Sequence, residues 1–139
     1  MLEREVIQMR GFRNTIENGT ITGFQFRIRL TNYRGIWLSM LRPGELTVDG
    51  EKYDPDKISW LIDNKEYSPK EMEKIGDIQW HPSDAVVVKV KKPGGLAQGY
   101  HEVSYYYRCI QCYLPPSING DEAFARIPPR IEARKLLIV

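Results

Sequence analysis

The sequence is poor in the residues that build metal and nucleophilic sites. Its 139 residues include only two cysteines, Cys109 and Cys112, and only two histidines, His81 and His101. A structural zinc site takes four such ligands, and no second closely spaced Cys or His pair completes the set. A redox Cys-x-x-Cys pair normally opens a helix, whereas this pair falls in a predicted strand. Alternation places the two thiols on opposite faces of that strand. We therefore expect the cysteines to be buried structural thiols.

Charge of one sign and long apolar runs are also missing. Twenty lysines and arginines oppose eighteen aspartates and glutamates, which leaves a net charge of +2. This balance gives no large field that would attract nucleic acid or an anionic membrane. No apolar run approaches the roughly 20 residues of a membrane span, and the first residues lack the pattern of a signal peptide. We expect a cytoplasmic protein without a nucleic-acid or membrane partner.

The composition is that of a folded globular protein. Hydrophobic residues make up 42% and charged residues 27% of the chain, a mixture that excludes a disordered polypeptide. A length of 139 residues suits one domain with its own core and is short for two. We therefore predict a single domain over residues 1–139.

Apolar residues repeat with a period of two along most of the chain. Phe24, Phe26 and Ile28 share one face of a predicted strand, and Arg27 and Arg29 share the other. This alternation is typical of half-buried antiparallel strands. Three long strands are predicted at residues 24–30, 86–90 and 103–110, and shorter ones at 6–9, 36–41, 45–48, 58–62 and 133–138.

Helix signals are confined to one place. Ser68, Pro69 and Glu71 form a capping box with proline at the first helical position, which predicts a helix of two turns at most. The tight-turn dipeptides are Asn18-Gly19, Asp49-Gly50 and Asn119-Gly120. Many short strands with such turns predict an all-β, antiparallel two-sheet β-sandwich with one short helix. Residues 91–101 and 114–130 do not fit the strand pattern and are predicted to be surface loops.

No constellation of catalytic side chains stands out. A metal site of two histidines and one carboxylate would need both His81 and His101, which lie in different segments. The glycine-rich run 92–96 lacks the Gly-Lys-Ser/Thr ending and the following helix of a phosphate-binding loop. A small metal-dependent enzyme built on the two histidines stays as one hypothesis, and two ordinary polar loop histidines are the other.

Arginines beside aromatic residues are the clearest functional signal. Tyrosine, tryptophan and arginine anchor protein interfaces because they combine large apolar area with directed hydrogen bonds. Glycines allow the backbone to approach a partner closely. We predict a partner interface formed by Tyr33, Arg34, Trp37, Lys92, Gly94, Gly95 and His101. Alternatively, Trp37 belongs to the core and the glycines only form a turn, and the interface lies on the outward faces that bear Arg27, Arg29 and Tyr106.

Short motifs occur in a definite order between about residues 6 and 116. In chain order they are Gly11-Phe12-Arg13-Asn14, Gly23-Phe24-Gln25-Phe26-Arg27-Ile28-Arg29, Tyr33-Arg34-Gly35 with Leu38-Ser39, Val48-Asp49-Gly50, Tyr67 with Glu71-Met72, Trp80, Lys92-Pro93-Gly94-Gly95-Leu96 with Gly99 and His101, and Arg108 before Tyr113-Leu114-Pro115. This series resembles the successive motifs of the small, or beta, subunit of bacterial C-glycoside deglycosidases.

The resemblance implies a β-sandwich protein that joins a larger alpha subunit in a heteromeric enzyme. In that family the alpha subunit is similar to sugar-phosphate isomerases, a TIM barrel that holds the catalytic base and a divalent metal, usually manganese. The complex cleaves the carbon–carbon bond between a 3-oxidised glucose and a flavonoid or similar aromatic aglycone. The resemblance transfers no catalytic or metal-binding residue to this chain, so we expect no cofactor here and an inactive isolated subunit. A free-standing carbohydrate-binding β-sandwich module is the alternative.

Overall fold

A computed structural model of the chain describes residues 6–30, 34–110, 120–126 and 133–139. The strands are β1 (Arg13–Glu17), β2 (Thr20–Ile28), β3 (Ile36–Trp37), β4 (Leu41–Pro43), β5 (Leu46–Val48), β6 (Glu51–Tyr53), β7 (Ile58–Ile62), β8 (Lys65–Tyr67), β9 (Gln79–Trp80), β10 (Val86–Lys91), β11 (Gly99–Ser104), β12 (Tyr107–Cys109) and β13 (Ala133–Ile138). The helices are α1 (Pro69–Met72) and α2 (Asp121–Arg126), with 3-10 turns at Leu38–Met40 and Pro55–Lys57.

Two antiparallel sheets form most of the structure. One has five strands in the order β1-β2-β10-β7-β8, and the other has four in the order β13-β11-β5-β6. The short strands β12 and β4 pair with each other, as do β3 and β9. Buried residues of both larger sheets belong to one hydrophobic cluster, in which Phe24 of β2 contacts Tyr53 of β6 edge to face at 5.5 Å. The predicted all-β sandwich is confirmed.

The two central strands of the five-stranded sheet follow the predicted alternation. Val86, Val88 and Val90 of β10 are buried, as are Phe24 and Phe26 of β2. The register pairs Val88 with Phe26 and Val90 with Phe24, so these apolar residues stack on the same inner face. Burial of such side chains is the main stabilising contribution to a small sandwich.

The third predicted long strand is divided between two sheets. Residues 99–104 pair with β13 and β5, whereas residues 107–109 pair with β4. At the junction the Gly44 amide donates to the Tyr106 carbonyl at 2.8 Å, and the Tyr106 ring occupies the space that a side chain at Gly44 would need. The prediction of one strand over 103–110 is therefore wrong. Strand β11 also begins at Gly99, so the predicted loop 91–101 is shorter than expected.

The predicted helix is present, and a second one was missed. Helix α1 starts as expected, with Ser68 accepting from the Glu71 amide at 3.2 Å and the Glu71 side chain completing the capping box. Helix α2 lies inside the stretch 114–130 that was predicted to be a loop, so the prediction of one helix is wrong. Arg42 Nε donates to Oδ1 of Asp121 at 2.8 Å and fastens the start of α2 to β4. Neither these helices nor any other helix in the described ranges could cross a membrane.

The tight turns agree with the glycine dipeptides of the sequence. Asn18 and Asp49 have φ values of 51° and 52°, and each is followed by a glycine with positive φ. Asn and Gly tolerate this left-handed region at low cost, which is why such pairs close hairpins. The turn between β7 and β8 uses Asp63 and Asn64 in the same region, at 51° and 65°. Asn119 and Cys112 lie outside the described residues.

Candidate functional site

The two segments of the predicted interface lie near opposite ends of β10. Residues 34–37 adjoin β9, which precedes Val86, and residues 92–98 follow Lys91. A strand of six residues spans about 17 Å, so the structure does not join the two segments into one patch. Tyr33 lies outside the described residues. The predicted interface must therefore be considered as two separate places.

Trp37 and Arg34 are both on the surface. Trp37 pairs with Gln79 across the short β3–β9 ladder and keeps 41% of its area exposed, whereas Trp80 on the same ladder is buried. The hypothesis that Trp37 belongs to the core is thus wrong. Met40, three residues further along the 3-10 turn, is 36% exposed. Exposed tryptophan and methionine beside an exposed arginine have the composition of an interface anchor.

The glycine-rich loop is attached to the β1–β2 hairpin. Main-chain amides of Lys92 and Gly94 donate to the carbonyls of Thr22 and Ile21 at 3.0 and 3.1 Å. A Cβ added at Gly95 would lie 2.5 Å from Oδ1 of Asn14, whereas one added at Gly94 would meet nothing within 4 Å. Gly95 therefore faces the β1–β2 hairpin, and its amide donates to the Lys92 carbonyl at 2.8 Å, in agreement with the turn hypothesis. Only Gly94 is open to a partner.

Lys92 is bound within the chain as well. Its Nζ atom lies 3.5 Å from Oε2 of Glu51 and 5.6 Å from the centre of the Tyr53 ring. Both partners belong to β6 of the other sheet, so the Lys92 side chain connects the two sheets at this end of β10. The same contacts reduce its availability for a second protein.

His101 joins three parts of the fold. Its Nδ1 atom donates to Oδ2 of Asp49 at 2.6 Å, and its Nε2 atom donates to the Ala97 carbonyl at 2.7 Å. Because both partners are acceptors, only the doubly protonated ring satisfies both bonds. Burial opposes the charge, but the bonds to Ala97 and Asp49 outweigh it and raise the pKa of His101. The amide of Glu102 and the His101 ring lower the pKa of Asp49.

We call His101, Asp49 and Ala97 the His101 clasp. The clasp holds the glycine-rich loop against the turn after β5. No ring nitrogen of His101 is left to bind a metal or to take a proton from a substrate. His81 is exposed and lies by β9, close to Gly35. Within the ranges that the structure describes, no three His, Cys, Asp or Glu residues are grouped closely enough to hold a metal ion.

Cys109 resembles the predicted structural thiol. It is half-buried in β12, and burial raises the pKa of its thiol to about 12. A thiol with such a pKa stays protonated at neutral pH and reacts slowly. The predicted relation of Cys109 to Cys112 stays a prediction.

Sequence reasoning missed one polar cleft. About 560 Å³ in volume, it lies between the β7–β8 turn and the segment 77–86, and Asp63, Asp77, Gln79, His81 and Asp84 are among its lining residues. The carboxylates, the amide and the imidazole suit a basic or hydroxyl-rich group. No local signal in the sequence marked it, because the cleft forms only where residues 61–63 meet the segment 77–86.

Comparison with known proteins gives the family of this chain. A sequence profile of the C-glycoside deglycosidase beta subunit family matches residues 2–113. The chain is 44% identical over 147 aligned positions to the C-glycoside deglycosidase beta subunit of Eubacterium cellulosolvens, which covers 99% of this chain and 100% of that relative.

Two further relatives extend the comparison. The chain is 34% identical to the 3'-dehydrocarminate deglycosidase beta subunit of a Microbacterium species, over 68% of this chain and 70% of that protein. It is 30% identical to the C-glycoside deglycosidase beta subunit of Arthrobacter globiformis, over 63% of this chain and 70% of that protein. From the profile match and the full-length similarity it follows that this chain belongs to the C-glycoside deglycosidase beta subunit family.

Proposed function

We propose that this chain is the non-catalytic beta subunit of a cytoplasmic, heteromeric enzyme that cleaves the carbon–carbon glycosidic bond of 3-oxo-C-glucosides of flavonoids or similar aromatics. The observation that carries the proposal is the 44% identity to a C-glycoside deglycosidase beta subunit over 99% of this chain. The similarity extends over the whole relative, so the two chains correspond from end to end.

In this proposal the larger alpha subunit, a TIM barrel, supplies the base and the divalent metal, manganese. A carbonyl at C3 of the sugar acidifies the C2 proton. The base removes that proton, a double bond forms between C1 and C2, and the bond to the aglycone breaks as the aglycone carbon takes a proton. The reaction is therefore an elimination, the chemistry of a carbon–carbon lyase.

The role of the beta subunit is to bind and stabilise the alpha subunit near its substrate. The His101 clasp supports a non-catalytic role, because the close His–carboxylate pair has both ring nitrogens engaged. Of the predicted interface residues, we assign the exposed Trp37 and Arg34 to contact with the alpha subunit. Gly94, near the opposite end of β10, stays available as a separate contact. Lys92, Gly95 and His101 instead fix the loop that carries it.

The test is co-expression of the chain with its proposed alpha subunit. Each subunit alone and the purified complex are assayed for aglycone release from a 3-oxo-C-glucoside, and the manganese content of each is measured. We expect a stable complex that is active, an inactive and metal-free beta subunit, and manganese in the alpha subunit. Release of aglycone by this chain alone would contradict the proposal.

A matched pair of variants tests the Trp37 contact. Trp37→Ala removes an exposed aromatic ring at the β3–β9 ladder, and Tyr100→Ala removes one from β11, where Tyr100 is 73% exposed. We expect Trp37→Ala to weaken the complex by about 2 kcal/mol, as for an interface hot spot, and Tyr100→Ala to leave it unchanged. Equal affinities of the two variants would remove Trp37 from the interface.

A carbohydrate-binding module is the second candidate function. Tyr100 stands beside a shallow depression of about 360 Å³ lined in part by Asp49, Glu102 and Lys135. An exposed aromatic ring next to carboxylates and an ammonium group offers a face and hydrogen bonds to a sugar. Calorimetric titration of the isolated chain with glucosides, repeated with Tyr100→Ala, separates this candidate from the subunit role.

A further inference from the structure

The outer face of the five-stranded sheet carries a ladder of basic side chains. One cross-strand row reads Arg27, Val87, Leu61 and Glu66, and the next reads Arg13, Gln25, Lys89 and Ser59. Lys91 follows on β10, opposite Gly23. By strand alternation these residues lie on the outer face, because their neighbours Phe24, Phe26, Val88 and Val90 point into the core. Gln25 is buried within this outer layer. We call the set Arg13, Arg27, Lys89, Lys91, Val87, Leu61 and Glu66 the basic sheet face.

The basic sheet face concentrates positive charge that is not evident from the small net charge of the chain. Its four cations and one carboxylate give an excess of three positive charges, whereas the whole chain has a net charge of +2. The rest of the molecule is therefore close to neutral. Adjacent strands are about 4.8 Å apart, so the cations lie close enough together to produce a common positive potential.

Two of these cations are held in place. A Cβ added at Gly11 would lie 2.8 to 3.0 Å from the Nε, Cδ and Cγ atoms of Arg27, so the Arg27 stem rests on the bare backbone of Gly11. Lys89 Nζ lies 2.9 Å from Oε1 of Glu66, two strands away. Groups that are positioned before binding lose less conformational entropy when a partner arrives.

The middle of the face is apolar. Val87 and Leu61 lie directly opposite each other on β10 and β7, and both are half-buried. Arg27 and Glu66 occupy the two ends of the same row. An apolar centre with a charged rim is the usual anatomy of a protein–protein interface.

We infer that the basic sheet face binds an acidic surface of the alpha subunit, an inference that rests on the proposed role of the chain as a partner-binding subunit. Charge complementarity selects an acidic surface, and the apolar pair Val87 and Leu61 selects a protein over a simple polyanion. The face lies apart from Trp37, which belongs to the β3–β9 ladder, and would give the partner a second and broader contact.

The experiment reverses charge on this face and on a matched face. The test variant is Arg27→Glu with Lys91→Glu, and the control is Lys52→Glu with Lys135→Glu on the outer side of the four-stranded sheet. Affinity for the purified alpha subunit is measured at low and high salt, after each variant is shown to unfold like the parent. A neutral variant, Arg27→Gln with Lys91→Gln, replaces the test variant if that one does not fold.

We expect the test variant to bind at least about tenfold more weakly at low salt, because like charges would then face each other across the interface. Its binding should lose the salt dependence of the parent, and the control should stay within about twofold of the parent. Parent-like affinity of the charge-reversed or neutral variant would overturn the inference.

Two further outcomes separate this inference from the proposed function. If the parent complex forms and cleaves the 3-oxo-C-glucoside while the test variant binds normally, the inference fails and the proposed function stands. If the variant loses retention on heparin but keeps its affinity for the alpha subunit, the face binds polyanions and the inference also fails. If the parent does not associate with the alpha subunit at all, both fail.

Discussion

Trp60 and Tyr105 are hydrogen-bonded to each other in the middle of the core. Nε1 of Trp60 donates to the Tyr105 hydroxyl at 3.0 Å, and the two side chains are fully buried. Trp60 belongs to β7 of the five-stranded sheet, whereas Tyr105 follows β11 of the four-stranded one. One polar bond therefore joins the two sheets inside an otherwise apolar cluster that includes Trp80.

Replacing Tyr105 by phenylalanine isolates this bond. Tyr105→Phe removes the acceptor and leaves the buried Trp60 N–H without it, so we expect the free energy of unfolding to fall by about 1–3 kcal/mol. Tyr100→Phe, an exposed position, should change it by less than about 0.5 kcal/mol. Urea unfolding followed by tryptophan fluorescence measures both, and equal stability of the two variants would contradict the expected role of the bond.

Phe26 and Arg27 test which face of β2 is buried. Phe26 is fully buried and packs edge to face against Tyr105 at 5.7 Å, while Arg27 is exposed. We expect Phe26→Ala to lower the free energy of unfolding by about 3–5 kcal/mol and Arg27→Ala to lower it far less. Chemical denaturation of the two neighbours should give clearly separated midpoints.

Gly94 and Gly95 form a second matched pair. Both have positive φ, 84° and 64°, so alanine is strained at either position. Only at Gly95 does the new Cβ also collide with Asn14, whose side chain makes two hydrogen bonds with the main chain of Leu96, at 2.9 and 2.8 Å. We expect Gly95→Ala to be the less stable variant by at least about 1 kcal/mol. Thermal unfolding that ranks Gly94→Ala lower would refute this packing argument.

The His101 clasp makes stability depend on pH. The pKa of His101 is raised above 6.5 in the folded chain, so its contribution is complete below about pH 6.5 and disappears as pH rises through the raised value. The pKa of Asp49 is lowered below 3.8, so its contribution is present above about pH 4 and is lost as pH falls through the lowered value. The clasp is therefore most stabilising between about pH 4 and 6.5.

His101→Gln should lower the free energy of unfolding at pH 5 by about 1 kcal/mol, the scale of a partly exposed charged hydrogen bond. It should also flatten the decline of stability between pH 6 and 8. His81→Gln serves as the control, because it removes a histidine that is exposed and takes no part in the clasp. Unfolding curves at several pH values measure the slope, and a parent-like decline in His101→Gln would show that another group titrates.

The local alternation of apolar residues was enough to predict the central strands, but not how the strands are divided between the sheets. Val86, Val88 and Val90 are buried and alternate with the half-buried Val87 and Lys89, so deeper burial on one face follows directly from that period. The break after Ser104 could not be predicted, because Val103 and Tyr105 keep the same alternation across the junction between sheets. Only the partners of each half, β13 with β5 and then β4, reveal the division.

The candidate site depended even more than the fold on contacts between residues that are distant in sequence. The aromatic and arginine pattern pointed to Trp37, which is exposed, and its role as an interface anchor stays a prediction. The internal roles of Gly95 and His101 were hidden, because Asn14 and Asp49 lie 82 and 52 residues away from the groups that they bind. Of the basic sheet face, the sequence indicated only Arg27, because four cations on three strands become neighbours only once the strands are in register.

Strand β13 sets the time at which the protein can fold during synthesis. It pairs with β11 along its whole length, buries Leu136 and Ile138, and places Arg134 Nη1 2.8 Å from the Ile7 carbonyl, 127 positions earlier. Until the ribosome releases residues 133–138, β11 has an open edge and the core lacks two of its side chains. Contacts between residues this far apart in sequence form slowly. Folding and capture by the partner subunit must therefore both follow translation of this segment. A truncation before residue 133 would leave a chain whose open strands are prone to pair with those of other chains.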